Sequence, residues 1–447
     1  MATQMHSYLK NISTSLFKTL TEGEEVSLNL HSEESEFIRF TQSQVRQNTQ
    51  VHQHELSLLY QANSRGYCAA MPLTMHEATD MATLTERLQY IRQNLPLLDE
   101  NPKLTPMLNN GVSEVYKKSV YPSADVFIEK VQQSFAGADL VGLFCAGPIR
   151  QASINSKGQF HYFETDHFFF DYSVYDGPRA AKGYYSAEKW SDEIFARQAA
   201  STLNTLSLLK RPPVKVKPGQ HRTYLGPMAV SEIAEIFNWR AVSRSAYEQG
   251  FAPLKKLYTR EQLFSPIFSL IENNELGLNS HFNSQGEPSP KLLPVIENGE
   301  MKNFLINAAT AKEYKLESNN ADSGMWHTEA MRSMEVRAGT LNEADILKQL
   351  GTGLYLTNLH YINWSDPQAA RLTGMTRFAC FWVENGEIVG PIQDLRFDDN
   401  LYRIFGSELV ALTEDRSAFI NTLTYQKRRL GGMIMPGALL KEMNFTL

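Results

Sequence analysis

Residues 377–401 read RFACFWVENGEIVGPIQDLRFDDNL, and they carry the clearest fold signal in the chain. The apolar run FACFWV leads into Glu384-Asn385-Gly386-Glu387, and a second apolar segment follows. Asn-Gly favours a type I′ turn because both central residues need positive φ, so this segment predicts a β-hairpin. The same tetrapeptide recurs at 297–300, directly after LLPVI, and predicts a second hairpin. We therefore expect the C-terminal half of the chain to be rich in β-strands.

The segment KRPPVKVKPGQHR, residues 210–222, is the most marked change of composition upstream of these hairpins. Its three prolines and cluster of cations are typical of a linker. We predict an N-terminal domain over 1–210, a linker over 211–222 and a β-rich, barrel-like domain over 223–447. Two domains agree with a length of 447 residues at roughly 150 residues per domain.

The N-terminal part alternates between helical and strand periodicity. The patterns predict helices over 1–20, 75–98, 124–137 and 187–209, strands over 26–71, 140–148 and 158–174, and a loop over 99–123. That order predicts an α+β fold, in which helices cover one face of an antiparallel sheet. In the C-terminal part, apolar spacing predicts two further helices, over 227–249 and 259–272.

Charge and composition argue against several classes of function. The 43 Lys and Arg residues against 49 Asp and Glu give a net charge of −6, and no long basic run occurs, which disfavours nucleic-acid binding. No window approaches 18 apolar residues, and the first twenty residues lack the pattern of a signal peptide, so we expect no membrane span and no secretion. The three separated cysteines predict reduced thiols in the cytoplasm.

Two histidine clusters are candidate metal sites. His52 and His54 lie two residues apart in a predicted strand, so both rings would face the same side. A second cluster, in FHYFETDHFFF, comprises His161, Glu164, Asp166 and His167. No third ligand at a telling spacing accompanies the first pair, and the aromatic residues around the second cluster look like sheet packing, so solvated or packed side chains are the favoured interpretation of both. No HExxH, HExxxH, GxSxG, P-loop or GxGxxG motif is present.

Several segments together resemble the TldD/PmbA family, also called TldD/TldE, of bacterial and archaeal proteins. The similar segments occur in the family's order at 35–50, 64–78, 281–316, 349–360, 377–401 and 435–447. Each motif is weak alone, but their ordered combination covers nearly the whole chain. The resemblance implies a relative of zinc metallopeptidases whose TldD-type members carry HExxxH on the first helix of the C-terminal domain.

The zinc ligands of the TldD branch are missing from this sequence. When IAEIFNW (233–239) is laid on the HExxxH motif, Ala234 and Trp239 occupy the histidine positions and only Glu235 remains. The family's third ligand, a C-terminal cysteine, is also missing, because no cysteine follows Cys380. The resemblance therefore implies the TldE branch, and Glu235 is expected to be a solvated charge without a catalytic role.

In the TldE branch the chain is the non-zinc subunit of a heterodimer, and a TldD-type partner holds the zinc and cuts unfolded peptides. No cofactor is then expected in this chain. Two alternatives remain open. The first is a stand-alone hydrolase that uses a histidine cluster or a nucleophile such as Cys145. The second is a non-enzymatic homodimer that binds peptides or a regulatory protein.

The segment HYINWSDPQAARLTGMTR (360–377) is predicted to be a loop that faces a peptide or the partner subunit. Aromatic and Arg residues are enriched at binding surfaces. The candidate contact residues are His360, Tyr361, Trp364, Arg371 and Arg377. An ordinary surface loop anchored by one Trp is an equally good interpretation.

Overall fold

The computed structural model describes residues 2–323 and 329–446, which form two large β-sheets with helices packed against them. The strands are β1 (Glu25–Thr41), β2 (Gln44–Ala62), β3 (Arg65–Pro72), β4 (Val112–Lys117), β5 (Asp139–Asn155), β6 (Phe160–Asp176), β7 (Arg179–Tyr185), β8 (Gly219–Leu225), β9 (Leu270–Asn273), β10 (Leu292–Glu297), β11 (Glu300–Met301), β12 (Asp322–Ser323), β13 (Glu329–Ala330), β14 (Ser333–Val336), β15 (Gly353–Asp366), β16 (Arg371–Glu384), β17 (Glu387–Pro391), β18 (Arg396–Asn400), β19 (Leu409–Ile420) and β20 (Gly432–Phe445). The α-helices are α1 (Ala2–Phe17), α2 (Glu77–Asn94), α3 (Ala124–Ser134), α4 (Asp192–Leu208), α5 (Pro227–Ala234), α6 (Arg244–Glu248), α7 (Lys255–Tyr258), α8 (Ala308–Tyr314) and α9 (Ile346–Leu350). Met1 and Leu447, at the outer ends of the predicted first helix and closing strand, lie outside the described residues.

The first sheet has the strand order β3-β2-β1-β5-β6-β4, with β7 paired to β6. Side chains alternate between its two faces, so the even-numbered apolar residues of β1, β5 and β6 share one face. At one end of that face, α1 and α2 cover residues such as Leu28 and Leu58. At the other end, α3 and α4 cover a cluster rich in Phe. The α+β prediction, with helices on one face of an antiparallel sheet, is confirmed.

The second sheet follows the path β11-β10-β9-β14-β20-β18-β16-β15-β8 and closes on itself, because β20 also pairs with β8. Strands β8, β15, β16, β18 and β20 therefore form a ring, as the barrel-like prediction required. Helix α5 packs into the core of this unit through Ala229, Val230 and Ile233, all of them fully buried.

Both predicted hairpins are present. Glu297 pairs with Glu300, and Glu384 pairs with Glu387. The two central residues have positive φ in each turn: 50° and 80° at Asn298 and Gly299, and 50° and 82° at Asn385 and Gly386. This conformation is the one that makes Asn-Gly favourable in a type I′ turn.

The helix predictions in the C-terminal half are partly wrong. The helix predicted over 227–249 ends at Ala234, and a 3₁₀ turn (Glu235–Asn238) and the short α6 follow. Arg240 has a φ of 72°, which interrupts any continuous helix. The helix predicted over 259–272 does not form: Pro266 cannot donate a helical hydrogen bond, and Leu270–Asn273 is a strand. Phe264 and Phe268 have the spacing of a helix face, but their rings pack 5.5 Å apart in a compact cluster without a helix.

Two predicted loops contain strands. Residues 112–117, inside the predicted 99–123 loop, form β4 at the edge of the first sheet, parallel to β6. The predicted loop 360–377 consists mainly of the distal arms of the β15–β16 hairpin, joined by a short 3₁₀ turn (Pro367–Ala369).

Within the described ranges, none of the helices combines the length and apolar character that a transmembrane segment needs.

Candidate functional site

The structure places a carboxylate, Glu232, at the surface of the helix that the family resemblance singles out. Helix α5 begins at the end of β8, where the Gly226 N–H donates to the Leu356 carbonyl at 2.8 Å. Pro227 occupies the first helical position, where its missing N–H costs nothing. Helix α5 packs against β15 and β20 through its buried residues, and its Glu232 side chain lies beside Asn358 and Leu359 of β15.

Glu232 is a titratable group in a largely enclosed place. Burial raises its pKa to about 7, against an ordinary value of 4.5. The backbone N–H of Leu359 donates to its Oε2 and opposes this shift, as does the positive charge of Lys182 and Arg377. A carboxyl with a pKa near neutrality is typical of functional sites, because its protonation state changes within the physiological range.

Arg377 of β16 lies close enough to Glu232 for its charge to lower the pKa of that carboxyl. Its guanidinium Nη1 donates to Nδ1 of His360 at 2.9 Å, and its Cζ lies 4.7 Å from the centroid of the Phe378 ring. Burial, and then the nearby charge of Arg377, lower the pKa of His360, so the ring is neutral and accepts at Nδ1. The Arg377 side chain nevertheless stays exposed to solvent.

Two irregularities in the β15–β16 ladder aim these side chains. The register shifts between His360 and Asn363, and again opposite Leu356 and Asn358. Tyr361 and Phe378 lie at these shifts with φ of 52° and 60°. A bulky residue with positive φ is a backbone outlier, and such strain is found preferentially at functional sites.

The first sheet contributes the opposite wall of the site. Lys182 of β7 lies 5.9 Å from the centroid of the Phe378 ring and forms an ion pair with Asp171. Next to it, the Tyr184 hydroxyl accepts a hydrogen bond from the Ile420 N–H at 2.9 Å. Glu232, His360, Arg377, Phe378 and Lys182 gather where β7 of the first sheet meets the β15–β16 hairpin of the second, and we call this place the hairpin cleft.

Cys380 lies beneath this cleft but is not a reactive group. Its thiol donates to the Arg377 carbonyl, with Sγ and O 3.3 Å apart. Burial raises its pKa to about 12, so the thiolate is strongly disfavoured. The same holds for Cys145, the nucleophile of one alternative, because burial raises its pKa to about 12 as well.

The predicted metal-helix positions fall in three different environments. Ala234 is fully buried in the core of the second sheet, where it cannot line a cleft. Trp239 is partly buried, and its carbonyl accepts a hydrogen bond from Trp364 Nε1 at 3.2 Å. Glu235 is exposed, as expected, but desolvation by the surrounding protein raises its pKa.

Sequence reasoning missed Glu232, although a signal for it exists. If the HExxxH motif is laid three residues earlier, over 231–236, the glutamate position falls on Glu232 and the histidine positions fall on Ser231 and Ile236. The structure favours this register because Glu232 faces the cleft while Ala234 faces the core. In either register the histidines are replaced.

The hairpin cleft does not fit a zinc ion. Zinc sites in proteins use three or four His, Cys, Asp or Glu ligands. The positive charges of Lys182 and Arg377 act on Glu232 and oppose the binding of a cation beside it. In residues 2–323 and 329–446, no group of three or more potential ligands comes together anywhere.

The two histidine clusters are occupied by hydrogen bonds within the protein. His54 Nδ1 lies 2.7 Å from Ser32 Oγ, and His161 Nδ1 lies 2.7 Å from Ser113 Oγ. His167 Nδ1 accepts from Arg428 at 2.9 Å. Glu164 forms an ion pair with Arg150 at 2.8 Å. The structure does not bring these side chains together around one point.

The remaining predicted contact residues, Tyr361 and Arg371, are both exposed. Tyr361 is 80% exposed, and its ring lies 4.6 Å from that of His360, at the mouth of the hairpin cleft. Arg371 pairs with Asp398 at 3.7 Å on the neighbouring strand. A separate surface cavity of about 410 Å³, which Glu25, Asn63 and Lys312 help to line, shares no residue with the hairpin cleft.

Comparison with known proteins gives matches in both sequence and fold. The family model described as the PmbA/TldA metallopeptidase C-terminal domain matches residues 218–447, just over half of the chain. Metalloprotease PmbA from Escherichia coli O157:H7 is 28% identical over 122 residues, which are 27% of this chain and 24% of that protein. The alignment thus spans about a quarter of the curated relative.

Solved structures share the fold over almost the whole chain. TldE from Thermococcus kodakarensis matches with a TM-score of 0.79 and 15% identity, over 98% of this chain and 100% of its own. A protein from Thermotoga maritima MSB8 described as a proposed modulator of a DNA gyrase matches with a TM-score of 0.78 and 16% identity, over 98% and 100% of the two chains. Together with the family model over residues 218–447, this fold confirms the resemblance seen in the sequence, and the chain belongs to the PmbA/TldD family of metallopeptidase-like proteins.

Proposed function

We propose that this chain is a TldE-like subunit, without zinc of its own, in a cytoplasmic peptidase assembly that acts on unfolded peptides. The observation that carries the proposal is the hairpin cleft. At the family's metal helix, this chain keeps a carboxylate, Glu232, but surrounds it with Lys182 and Arg377 in place of further ligands. Such a cleft is suited to holding a polar substrate and not to activating metal-bound water.

The partner in this proposal is a TldD-type chain that carries HExxxH and binds the zinc. Unfolded peptides of varied sequence are recognised mainly through main-chain hydrogen bonds, supplemented by a few side-chain contacts. The distorted β15–β16 hairpin, with its exposed Tyr361, offers both kinds of contact at the cleft. The subunit then contributes to substrate binding while the partner supplies the catalytic metal.

Zinc content and activity in combination test this function. The tag-free chain is expressed alone in zinc-supplemented medium, and zinc per chain is measured by elemental mass spectrometry. We expect a value well below one, whereas a TldD-type chain prepared identically should hold about one. Mixing the two should give a complex on size-exclusion chromatography that cleaves unfolded peptides, with no cleavage by this chain alone.

Three results would overturn the proposal. About one tightly bound zinc per isolated chain would show a metal site of its own. A stable homodimer that does not exchange subunits with a TldD-type chain would favour the homodimeric peptide-binding protein instead. Cleavage by the isolated chain would favour the stand-alone hydrolase.

A further inference from the structure

Arg377 is an exposed cation that is held in one orientation. His360 accepts one of its N–H groups, and the Phe378 ring lies against its guanidinium. Among the described residues it forms no ion pair with a carboxylate, in contrast to Arg371, which pairs with Asp398, and Lys182, which pairs with Asp171. A guanidinium has five N–H donors, so most of those of Arg377 remain available to a ligand.

The surroundings of Arg377 favour an anion with planar geometry. His360 is neutral and does not compensate the charge. The Phe378 ring lies against the guanidinium, and the Tyr361 ring lies 4.6 Å from that of His360, so aromatic surface adjoins the cation and its hydrogen-bond partner. The charges of Arg377 and Glu232 influence each other, but Glu232 Oε2 accepts from the Leu359 N–H, and no hydrogen bond joins it to Arg377 in the part of the chain that is described.

The backbone holds this arrangement at an energetic cost. Tyr361 and Phe378 both have positive φ, and each such residue costs of order 1 kcal/mol or more. The irregularity at Phe378 places consecutive side chains, Arg377 and Phe378, together at the cleft, although successive residues of a regular strand point to opposite faces. Strain that assembles a cation and two aromatic rings indicates a binding site.

We propose that Arg377, His360 and Phe378 form a subsite that binds a carboxylate of a peptide. The inference rests on the proposed peptide-binding function and adds the chemistry that the substrate must present. The guanidinium fork matches a carboxylate with two parallel hydrogen bonds, which a lysine at this position could not provide. The carboxylate can come from the C-terminus of the peptide or from an Asp or Glu side chain.

Three versions of one unstructured peptide test the subsite. The first has a free C-terminus and one internal Glu, the second has a C-terminal amide, and the third has Gln in place of Glu. Affinities for the full-length chain are measured by isothermal titration calorimetry. We expect one of the two changes to weaken binding about tenfold, the size expected for a charge-assisted hydrogen bond. Loss on amidation assigns the C-terminal carboxylate, and loss on Glu→Gln assigns the side chain.

Variants of the chain separate the subsite from general charge effects. Arg377→Gln should remove the tenfold preference, and Arg377→Lys should restore only part of it. Arg87→Gln, which removes the same charge from the exposed surface of α2, should leave the preference intact. Unchanged melting temperatures confirm that all three variants are folded.

The outcomes distinguish the subsite from the wider function. Equal affinity for the three peptides, or a preference that survives Arg377→Gln, overturns the subsite while peptide binding stands. No binding of any peptide overturns both the subsite and the proposed peptide-binding role.

Discussion

At the scale of single residues, the protonation of Glu232 is the most consequential feature of the hairpin cleft. Its pKa of about 7 exceeds the ordinary 4.5 because the folded chain buries the carboxylate. The folded state therefore binds its proton more tightly than the unfolded state does. Folding carries no penalty from this group below pH 4.5, and the penalty grows as the pH rises and is complete above pH 7.

Glu232→Gln should remove this penalty. Glutamine keeps an oxygen that can accept from the Leu359 N–H, but it carries no charge. At pH 8 the variant should be more stable than the parent by about 1–3 kcal/mol, and the difference should vanish near pH 4.5. Urea denaturation at both pH values measures this difference in the free energy of unfolding, with Glu86→Gln on the exposed surface of α2 as the control. An equal effect at the two pH values would contradict the raised pKa.

The sequence singled out the helix that carries Glu232 but drew attention to Glu235 instead. Laying a motif on 233–239 gave Glu235, whereas packing decides which side of α5 is buried. Ala234 and Ile233 enter the core, and this rotates Glu232 to the cleft. With histidines absent, nothing in the sequence fixes the register. The sequence also does not show that Lys182 lies near Glu232 and Phe378, because Lys182 belongs to the first sheet and the other two residues to the second unit.

At the scale of elements, the Asn-Gly hairpins were predictable because their turn residues determine the backbone locally. The distal arms of β15 and β16 were not, because their pairing is interrupted by register shifts that break the alternation of polar and apolar residues. The segment around Pro266 was wrongly predicted to be a helix, because its aromatic residues have helical spacing. Their side chains instead form a cluster with Phe237 and Phe405.

Tyr361→Gly tests whether the hairpin stores strain. Glycine adopts a φ of 52° without penalty, and Tyr361 is 80% exposed, so little packing is lost. Tyr425 is a matched control: it is 81% exposed, but its φ is not in the left-handed region. We expect Tyr361→Gly to be more stable than Tyr425→Gly by about 1–2 kcal/mol. The free energies of unfolding in urea measure the difference, and equal destabilisation by both changes would show that no strain is stored.

At the scale of the whole molecule, one arginine joins the two sheets. Arg428 lies in the connection between β19 and β20 and is only 1% exposed. Its guanidinium donates to the Gly147 carbonyl at 3.0 Å and to Ser35 Oγ at 3.1 Å, both in the first sheet. It also donates to the carbonyl and Nδ1 of His167. The buried arginine therefore links the β19–β20 connection of the second sheet to strands β1, β5 and β6 of the first.

Arg428→Met should loosen this connection. It leaves buried carbonyls without a donor, which should cost about 3 kcal/mol or more. Differential scanning calorimetry should show the unfolding transition at a lower temperature, and separation into two transitions if the sheets unfold independently. Arg429→Met is the matched control, because the neighbouring side chain is exposed. A parent-like melting profile of Arg428→Met would show that other contacts hold the sheets together.

The ring in the second sheet has a consequence for synthesis on the ribosome. Leu225 in β8 pairs with Ala438 in β20, so two strands separated by more than two hundred residues must meet before the ring is complete. The apolar face of α5, with Val230 and Ile233, stays exposed on the nascent chain while the residues between β8 and β20 are translated. A chain that stalls before Gly432 leaves β8 with a single neighbouring strand and an open edge. Such a product has the exposed apolar surface and unpaired strand edge that chaperones and proteases recognise.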